Sequence, residues 1–516
     1  MFTWIKDRIQ RYRKSLFCTP QSLSVGITGS YIAKFMQIDP IQRQSLISFS
    51  SLIGLTIIGY VSTMYFAHVL GPAILGSYFL FLAFYGVFDL IGDGGFGGAA
   101  VKRISEGHEQ NQYFSAFIAL RSILLIISVS GLLLIAPYIV DLNTSGLIPW
   151  LILALFIGTI ASVAQNGIYG TGKAGISQIS SFVNTVIKII VQVIATFLGY
   201  AVAGLVGGFV VGMVAGLIIN YQYLTLHLAR FTAGHLKSLF SFSFWSFLAS
   251  SGSMVFAYAD TILIGYFMSN ADVGIYRVAF QLTGAAAFTT GSLHYVLYPR
   301  VSNWHASGEI QKAESALSRA FTYSLLLAIP VVAGGFILGD QLLYYLYGAG
   351  FESGTAALFI LLLVQVANIF MFLQTMCLNA FDKPKKSFIA TAIAACLNIG
   401  LNLALIPLFG ISGAAIATLV SISLNAIISY AYLSQSMHVR LERNPVLHII
   451  LATLAMAVVV LLFRFLFGIG SVLLLLGTVA MGAFVYFLIL FRIDRGIKED
   501  LRSIISAFGI PWPVII

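Results

Sequence analysis

The chain has 516 residues, 59% of them hydrophobic and 9% charged, with a formal net charge of +10. Soluble domains carry roughly 25% charged residues, so this composition excludes one and identifies a membrane protein. The cationic excess suits either nucleic acid or a membrane surface, and the positions of the cations decide between them.

Residues 1–44 form a basic segment with seven Lys/Arg up to Arg43. It has no apolar run of signal-peptide length, and it is expected to remain as a cytoplasmic segment. Ile5, Ile9, Tyr12 and Leu16 recur at helical spacing among Lys6, Arg8, Arg11, Arg13 and Lys14. That pattern fits a helix on an anionic membrane surface or a basic tail.

A helix needs about 20 apolar residues to cross ~30 Å of hydrocarbon. Fourteen such runs follow: 46–67, 74–97, 115–138, 148–169, 177–198, 204–226, 240–267, 274–298, 317–338, 356–380, 387–406, 413–434, 446–464 and 471–491. The expected fold is an all-α polytopic membrane protein with fourteen transmembrane helices. Cytoplasmic loops collect Lys and Arg, whereas translocated loops avoid them. Every second connection, at 68–73, 139–147, 199–203, 268–273, 339–355, 407–412 and 465–470, lacks both; the alternate segments and termini hold 24 of the 28. Both termini are therefore expected in the cytoplasm of a multi-pass protein of the cell membrane. The cations mark a membrane, and no nucleic-acid partner is expected. One sequon, Asn143, falls on the outer side.

An internal repeat organises the spans. Tyr65-Phe66 followed by Gly76-x-Tyr78 recurs as Tyr266-Phe267 followed by Gly274-x-Tyr276, and Gly204 with Tyr221-x-Tyr223-Leu224 recurs as Gly413 with Tyr430-x-Tyr432-Leu433. Six spans separate the copies, so the halves keep one orientation and a pseudo-two-fold lies along the membrane normal. This predicts an N-lobe at 45–228, a C-lobe at 238–436, two additional helices at 446–492 and a cytoplasmic tail at 493–516.

Several motifs carry no chemistry. Gly167 to Lys173 imitates a phosphate loop, but Ala174 stands where a magnesium-binding hydroxyl belongs. Gly92-x-Gly94-x-x-Gly97 imitates a dinucleotide fingerprint without βαβ context. Cys18, Cys377 and Cys396 have no disulfide, zinc or redox spacing.

Charges at membrane depth normally face a cavity or a partner. Arg121 and Arg464 lie near span ends and are expected to snorkel. Asp89 and Asp93 share a face of the second span, as cavity groups or as partners of Lys102 or Arg103. Lys188 is central to the fifth span, with Asn184 one turn away, as a cavity cation or as a partner of Asp89 or Asp93. Ser243, Ser246, Ser250, Ser253, Ala257 and Asp260 form one stripe of the seventh span, whose serines packing alone explains. Arg277, Gln281, Gly284 and Phe288 share a face of the eighth; Arg277 is a cavity cation or pairs with Asp260 or Asp272. Asn398 and Asn402 are one turn apart, with Thr418 on the next span. With Asp260 they suit a hard monovalent cation, or else an interhelical hydrogen-bond set.

Leu70-Gly71-Pro72 to Gly76-x-Tyr78, the segment from Asp93 to Arg103, Asp260 to Gly274-x-Tyr276, and Ala380 to Pro384 occur in an order that resembles the multidrug/oligosaccharidyl-lipid/polysaccharide exporter superfamily. Within it, the chain resembles the oligosaccharide repeat-unit flippases. The resemblance covers residues 45–492. It implies two six-helix lobes around a cavity that opens alternately to each side and moves a lipid-linked oligosaccharide outward. It implies a transporter rather than an enzyme, expected to work as a monomer among membrane lipids and alongside glycosyltransferases or an oligosaccharyltransferase. It also implies a cationic pocket for the lipid pyrophosphate, with Arg277 as such a cation, and a sodium site at Asp260, Asn398, Asn402 and Thr418; the residues themselves add Lys188, Asn184, Gln281, Asp89 and Asp93 as candidate lining of that pocket. Asn402 stands where the family favours an acid. No cofactor is expected beyond sodium or a proton as coupling ion. The competing classes are an ion-coupled exporter of small amphiphiles and a membrane-embedded glycan polymerase.

Overall fold

The computed structural model describes residues 40–139 and 145–507. The amphipathic pattern between Ile5 and Leu16, Cys18 and the sequon at Asn143 lie outside the described residues. The chain divides into two compact units: Met1–Ile57, described from Pro40 as the start of a helix, and Ile58–Ile516, which holds the remaining elements.

The described residues contain helices and no strands. A chain in hydrocarbon must satisfy its backbone N–H and C=O groups within each segment, and the α-helix does so. The elements are α1 (Pro40–Asp93), α2 (Phe96–Ser105), α3 (Gln110–Ile135), α4 (Ile148–Gly170), α5 (Ala174–Phe197), α6 (Ala201–Tyr223) and α7 (Ala233–Phe267). They continue with α8 (Asn270–Ala306), α9 (Ile310–Tyr347), α10 (Thr355–Ala380), α11 (Pro384–Leu433), α12 (Arg443–Phe467), α13 (Val472–Ile493) and α14 (Arg495–Ala507). Among the described residues, ten helical segments are long and apolar enough to cross a membrane.

Two connections expected as loops are sharp turns at a single glycine between helical limbs. α1 breaks at Gly71 (φ 75°, ψ 177°) beside Pro72, and α11 at Gly410 (φ 59°, ψ −140°) shortly after Pro407. Only glycine enters positive φ without a Cβ penalty, and proline lacks the N–H that would continue the ladder, so each pair turns the chain within a few residues. The region expected as a loop at 339–355 is also ordered. α9 continues to Tyr347, and a 3₁₀ turn spans Ala349–Gly354 with Phe351 buried. Apolar residues at helical spacing, Leu338, Leu342 and Leu346, extend its packed face. The predicted tail begins as the amphipathic helix α14, whose start is held by Asp494 accepting from Ile497 N at 3.0 Å and bonding His448 at 2.9 Å.

Close helix crossings use small residues, which bring backbones together. Glycines of α6 lie on α5: a methyl at Gly212 would meet Asn184 O at 2.7 Å, and one at Gly208 would meet Lys188 O at 3.0 Å. Gly76 and Gly274 seat each other. A methyl at Gly76 would overlap Asn270 O and reach Gly274 N at 2.8 Å, and one at Gly274 would overlap Pro72 O and reach Gly76 N at 3.1 Å. The same reciprocity holds deeper: the Tyr258 ring covers Gly86 and the Tyr60 hydroxyl covers Gly284.

α12 and α13 pack on α9 through Met456, Val460, Leu475 and Tyr486 against Leu326 and Leu338. Tyr486 donates to Leu326 O at 2.7 Å. Between these helices and α8 and α10 lies an apolar cavity of ≈ 300 Å³, lined by Leu282, Pro330, Gly334, Leu362, Met456 and Phe487.

Candidate functional site: a buried oxygen cluster and two intramembrane cations

Asp260 lies near the end of α7 and is 5% exposed. The break at Gly410 folds α11 back on itself, so Thr418 on its second limb meets Asn398 and Asn402 on its first. Asp260 Oδ1 accepts from Asn402 Nδ2 at 2.7 Å, and Oδ2 accepts from the Thr418 hydroxyl at 2.6 Å. Asn402 Nδ2 also donates to Asn398 Oδ1 at 3.1 Å, and Asn398 Nδ2 donates to Thr418 Oγ1 at 3.2 Å. Asn398, Asn402 and Thr418 are at most 1% exposed. The structure thus brings together the four residues singled out for a monovalent cation.

The cluster also contains Tyr276 on α8, which donates to Asp260 Oδ2 at 2.5 Å and is 1% exposed. Sequence reading placed Tyr276 in the repeat but gave it no role, because its partner lies on another helix. The visible signal was its recurrence opposite Tyr78. One acceptor is left over: Asn402 Oδ1 is buried without a hydrogen-bond partner. Buried acceptors are normally satisfied, so an unfilled oxygen beside a carboxylate, a second amide oxygen and a hydroxyl fits a hard cation of low charge. Among the described residues no three His, Cys, Asp or Glu side chains gather at metal-binding distance.

Arg277 pairs with neither acid proposed for it. Asp272 instead caps α8 through Ser269. The Arg277 guanidinium donates to Ala257 O at 3.2 Å and lies over the rings of Phe79 (5.7 Å) and Phe280 (5.3 Å). Lys188 is half-buried, and among the described residues no hydrogen bond or ion pair joins it to an acid. Its stem and Asn184 lie against Gly212 of α6. Gln281 donates from Nε2 to Thr63 Oγ1 at 3.2 Å, and its carbonyl accepts from Tyr60 at 2.7 Å; both bonds join α8 to α1. Ser243 is buried and Ser253 and Ala257 are exposed, whereas the side chains of Ser246, Ser250 and Phe288 lie outside the described set.

Among the described residues, Asp89 and Asp93 face Arg121 rather than Arg103 or Lys188. Arg121 Nη2 lies 3.5 Å from Asp89 Oδ1 and its Nη1 3.4 Å from Asp93 Oδ1. Arg121 does not snorkel, being 1% exposed, while the two carboxylates remain 35% and 25% exposed. An arginine this deep inside α3 is stable there only because two acids one turn apart on α1 face it. Arg464 remains near its helix end but is fixed, with Nη2 2.7 Å from Asp340 and Nη1 on the carbonyl of Ile337.

Helices broken at glycine beside proline, a buried carboxylate within amide and hydroxyl groups, and unpaired cations at membrane depth define a polytopic transporter rather than a surface-bound enzyme. The chain belongs to the polysaccharide biosynthesis protein family, whose model matches residues 42–305; a MatE model matches residues 246–404. Among curated relatives, the probable low-salt glycan biosynthesis flippase Agl15 of Haloferax volcanii is 27% identical over 427 residues, covering 83% of this chain and 90% of that protein. The probable flippase AglR of the same organism is 25% identical over 471 residues, 90% of this chain and 98% of the relative. Among solved structures, the lipid II flippase MurJ in its inward closed conformation gives a TM-score of 0.74 at 17% identity, covering 86% and 98% of the two chains. An inward-facing MATE transporter of the MOP superfamily gives 0.63 at 16%, covering 74% and 94%. The expected superfamily fold is therefore the observed one.

Proposed function

We propose that this protein is a flippase that carries a lipid-linked oligosaccharide from the cytoplasmic to the outer face of the membrane. Full-length relatives named as flippases and the lipid-flippase fold support this function. The carrying observation within the chain is that Lys188 and Arg277 have no acid partner at a depth where charge is expensive. A polyprenyl- or dolichyl-linked pyrophosphate can cross only if cations and water replace its hydration along the route. Each negative charge leaving a cell held about 100 mV negative inside gains roughly 2.3 kcal/mol, so the membrane potential helps export. Asp260, Asn398, Asn402 and Thr418 would hold a sodium ion or, at the carboxylate, a proton. When bound, that ion supplies the energy that resets the carrier.

Fourteen crossings account for the observed segments: the ten apolar ones, a second crossing each in α1 and α11 beyond their glycine breaks, and α7 and α8. The reciprocal crossings support a pseudo-two-fold between the lobes. Pro72/Asn270, Gly76/Gly274, Gly86/Gly284 and Tyr60/Tyr258 exchange roles across the contact, and each pair is 198 residues apart. The charge bias supports a cytoplasmic position for both termini. The apolar cavity beneath α12 and α13 suits an isoprenoid tail, whereas a polar small molecule gains nothing there. Glycosyltransferases would load the lipid on the cytoplasmic side, and an oligosaccharyltransferase or polymerase would take it outside; the protein works as a monomer.

In a strain lacking this gene, lipid-linked oligosaccharide is expected to accumulate on the cytoplasmic face, and Lys188→Gln or Arg277→Gln at normal protein level should not relieve it. Normal surface glycan with both variants would remove the cationic route. Changed sensitivity to amphiphilic drugs with unaltered glycan would instead indicate the exporter reading.

A further inference from the structure

Tyr276 and Arg277 are consecutive residues of α8, and both reach α7, one on either side of the same turn. Tyr276 donates to the Asp260 carboxylate at 2.5 Å, while Arg277 donates to the carbonyl of Ala257, three residues earlier, at 3.2 Å. The carboxylate accepts from three donors, the Tyr276 and Thr418 hydroxyls on Oδ2 and the Asn402 amide on Oδ1, so Oδ2 is filled while Oδ1 keeps room for one more partner. A cation entering beside Asn402 Oδ1, the buried oxygen without a partner, draws on the same carboxylate. A phenol that donates its proton to Oδ2 competes for its charge and, unlike Asn398, Asn402 and Thr418, lies on a different helix. Ion entry and the Tyr276 hydrogen bond therefore exclude each other in part, and Tyr276 is the donor free to leave with its helix.

The molecule contains its own comparison. Tyr78, 198 residues earlier, accepts from Gln192 Nε2 at 3.0 Å, and that amide also donates to Leu205 O at 2.7 Å. Gln192 precedes Asn402 by 210 residues, the offset that relates Lys173 to Lys383. In one lobe the buried tyrosine meets a neutral amide; in the other it meets a carboxylate. Only the second can respond to an ion.

We propose that Tyr276 is a positioning residue that couples the oxygen cluster to substrate: a monovalent cation at Asp260 displaces its hydroxyl, loosens that turn of α8 from α7 and frees Arg277 for the lipid pyrophosphate. The proposal rests on the flippase reading and extends it by naming the residue through which ion and headgroup communicate. Ala257 O holds the guanidinium through a single bond, so the loss of the neighbouring tie leaves Arg277 able to turn toward an anion.

The full-length protein in detergent tests this with farnesyl pyrophosphate as the headgroup probe, titrated in sodium chloride and in choline chloride. In the wild type, sodium should tighten farnesyl pyrophosphate binding on the order of tenfold, a usual size for coupling between sites. Tyr276→Phe should still bind sodium, read as a sodium-dependent rise in thermal stability, yet bind the probe with equal affinity in both salts. Tyr78→Phe should keep the wild-type coupling. If Tyr276→Phe does not fold, Tyr276→Leu, which also lacks a donor, takes its place, with the same loss of coupling expected. A Tyr276 variant that retains the full sodium effect on probe affinity overturns the proposal while leaving the flippase reading intact. Probe affinity unaffected by sodium in the wild type overturns it as well. Probe binding insensitive to Arg277→Gln and Lys188→Gln would be the separate failure of the cationic route.

Discussion

At the residue scale, the polar groups divide into those whose partners are inside the chain and those without. Arg121 belongs to the first kind. Replacing it with methionine leaves Asp89 and Asp93 facing each other, and breaking a buried pair typically costs 3–5 kcal/mol. The carboxylates are partly exposed, so a loss of about 3 kcal/mol is expected, seen as a lowered thermal midpoint in detergent. Adding Asp89→Asn and Asp93→Asn should recover much of it. Asp260→Asn should keep the fold but abolish any sodium-dependent stabilisation, since an amide supplies no charge to the cation; a stabilisation equal to that of the wild type would show that the ion binds elsewhere. The oxygen cluster was legible in sequence because Asn398 and Asn402 are one turn apart and Asp260 is the single acid of its span. Arg121 was misread because depth along a span was judged from sequence ends, whereas α3 begins at Gln110 and places the arginine three turns inside. Tyr276 was missed for a related reason: a tyrosine counts as apolar in hydropathy, and only its partner reveals the hydroxyl's work.

At the scale of elements, helix lengths followed from composition, but their ends did not. Hydropathy stops where polar residues begin, whereas hydrogen bonding continues as far as propensity allows, as α7, α8 and α9 show with 35, 37 and 38 residues. The breaks at Gly71 and Gly410 were visible as Gly and Pro neighbours, yet their tightness depends on φ, which sequence leaves open. Glycines within one helix should behave oppositely. Gly291→Ala on α8 enters open space and is expected to be neutral or to stabilise by up to about 1 kcal/mol through helix propensity. Gly274→Ala on the same helix drives a methyl into Pro72, and a clear drop in thermal midpoint with impaired transport is expected.

At the scale of the whole molecule, the contact between Gly76 and Gly274 was foreshadowed by the recurrence of Gly-x-Tyr, whereas the cavity under α12 and α13 was not legible, since it is lined by ordinary apolar residues from five helices. Gly334 lines it, and a methyl there meets nothing within 4 Å. Gly334→Leu should therefore fill the space without unfolding the protein. The expected result is weakened binding of a long-chain polyprenyl phosphate and unchanged binding of farnesyl pyrophosphate, measured by competition on the purified variant. Equal loss for both would mean that the cavity does not select for tail length.

The mutual seat of Gly76 and Gly274 lets α1 and α8 cross with no side chain between them. Tilting one helix by about 10° there carries its far end, about 30 Å away across the hydrocarbon, through roughly 5 Å. A backbone-on-backbone crossing thus permits a wide swing at the far end of a helix for almost no displacement at the contact, and a β-carbon at either position would overlap the partner's backbone.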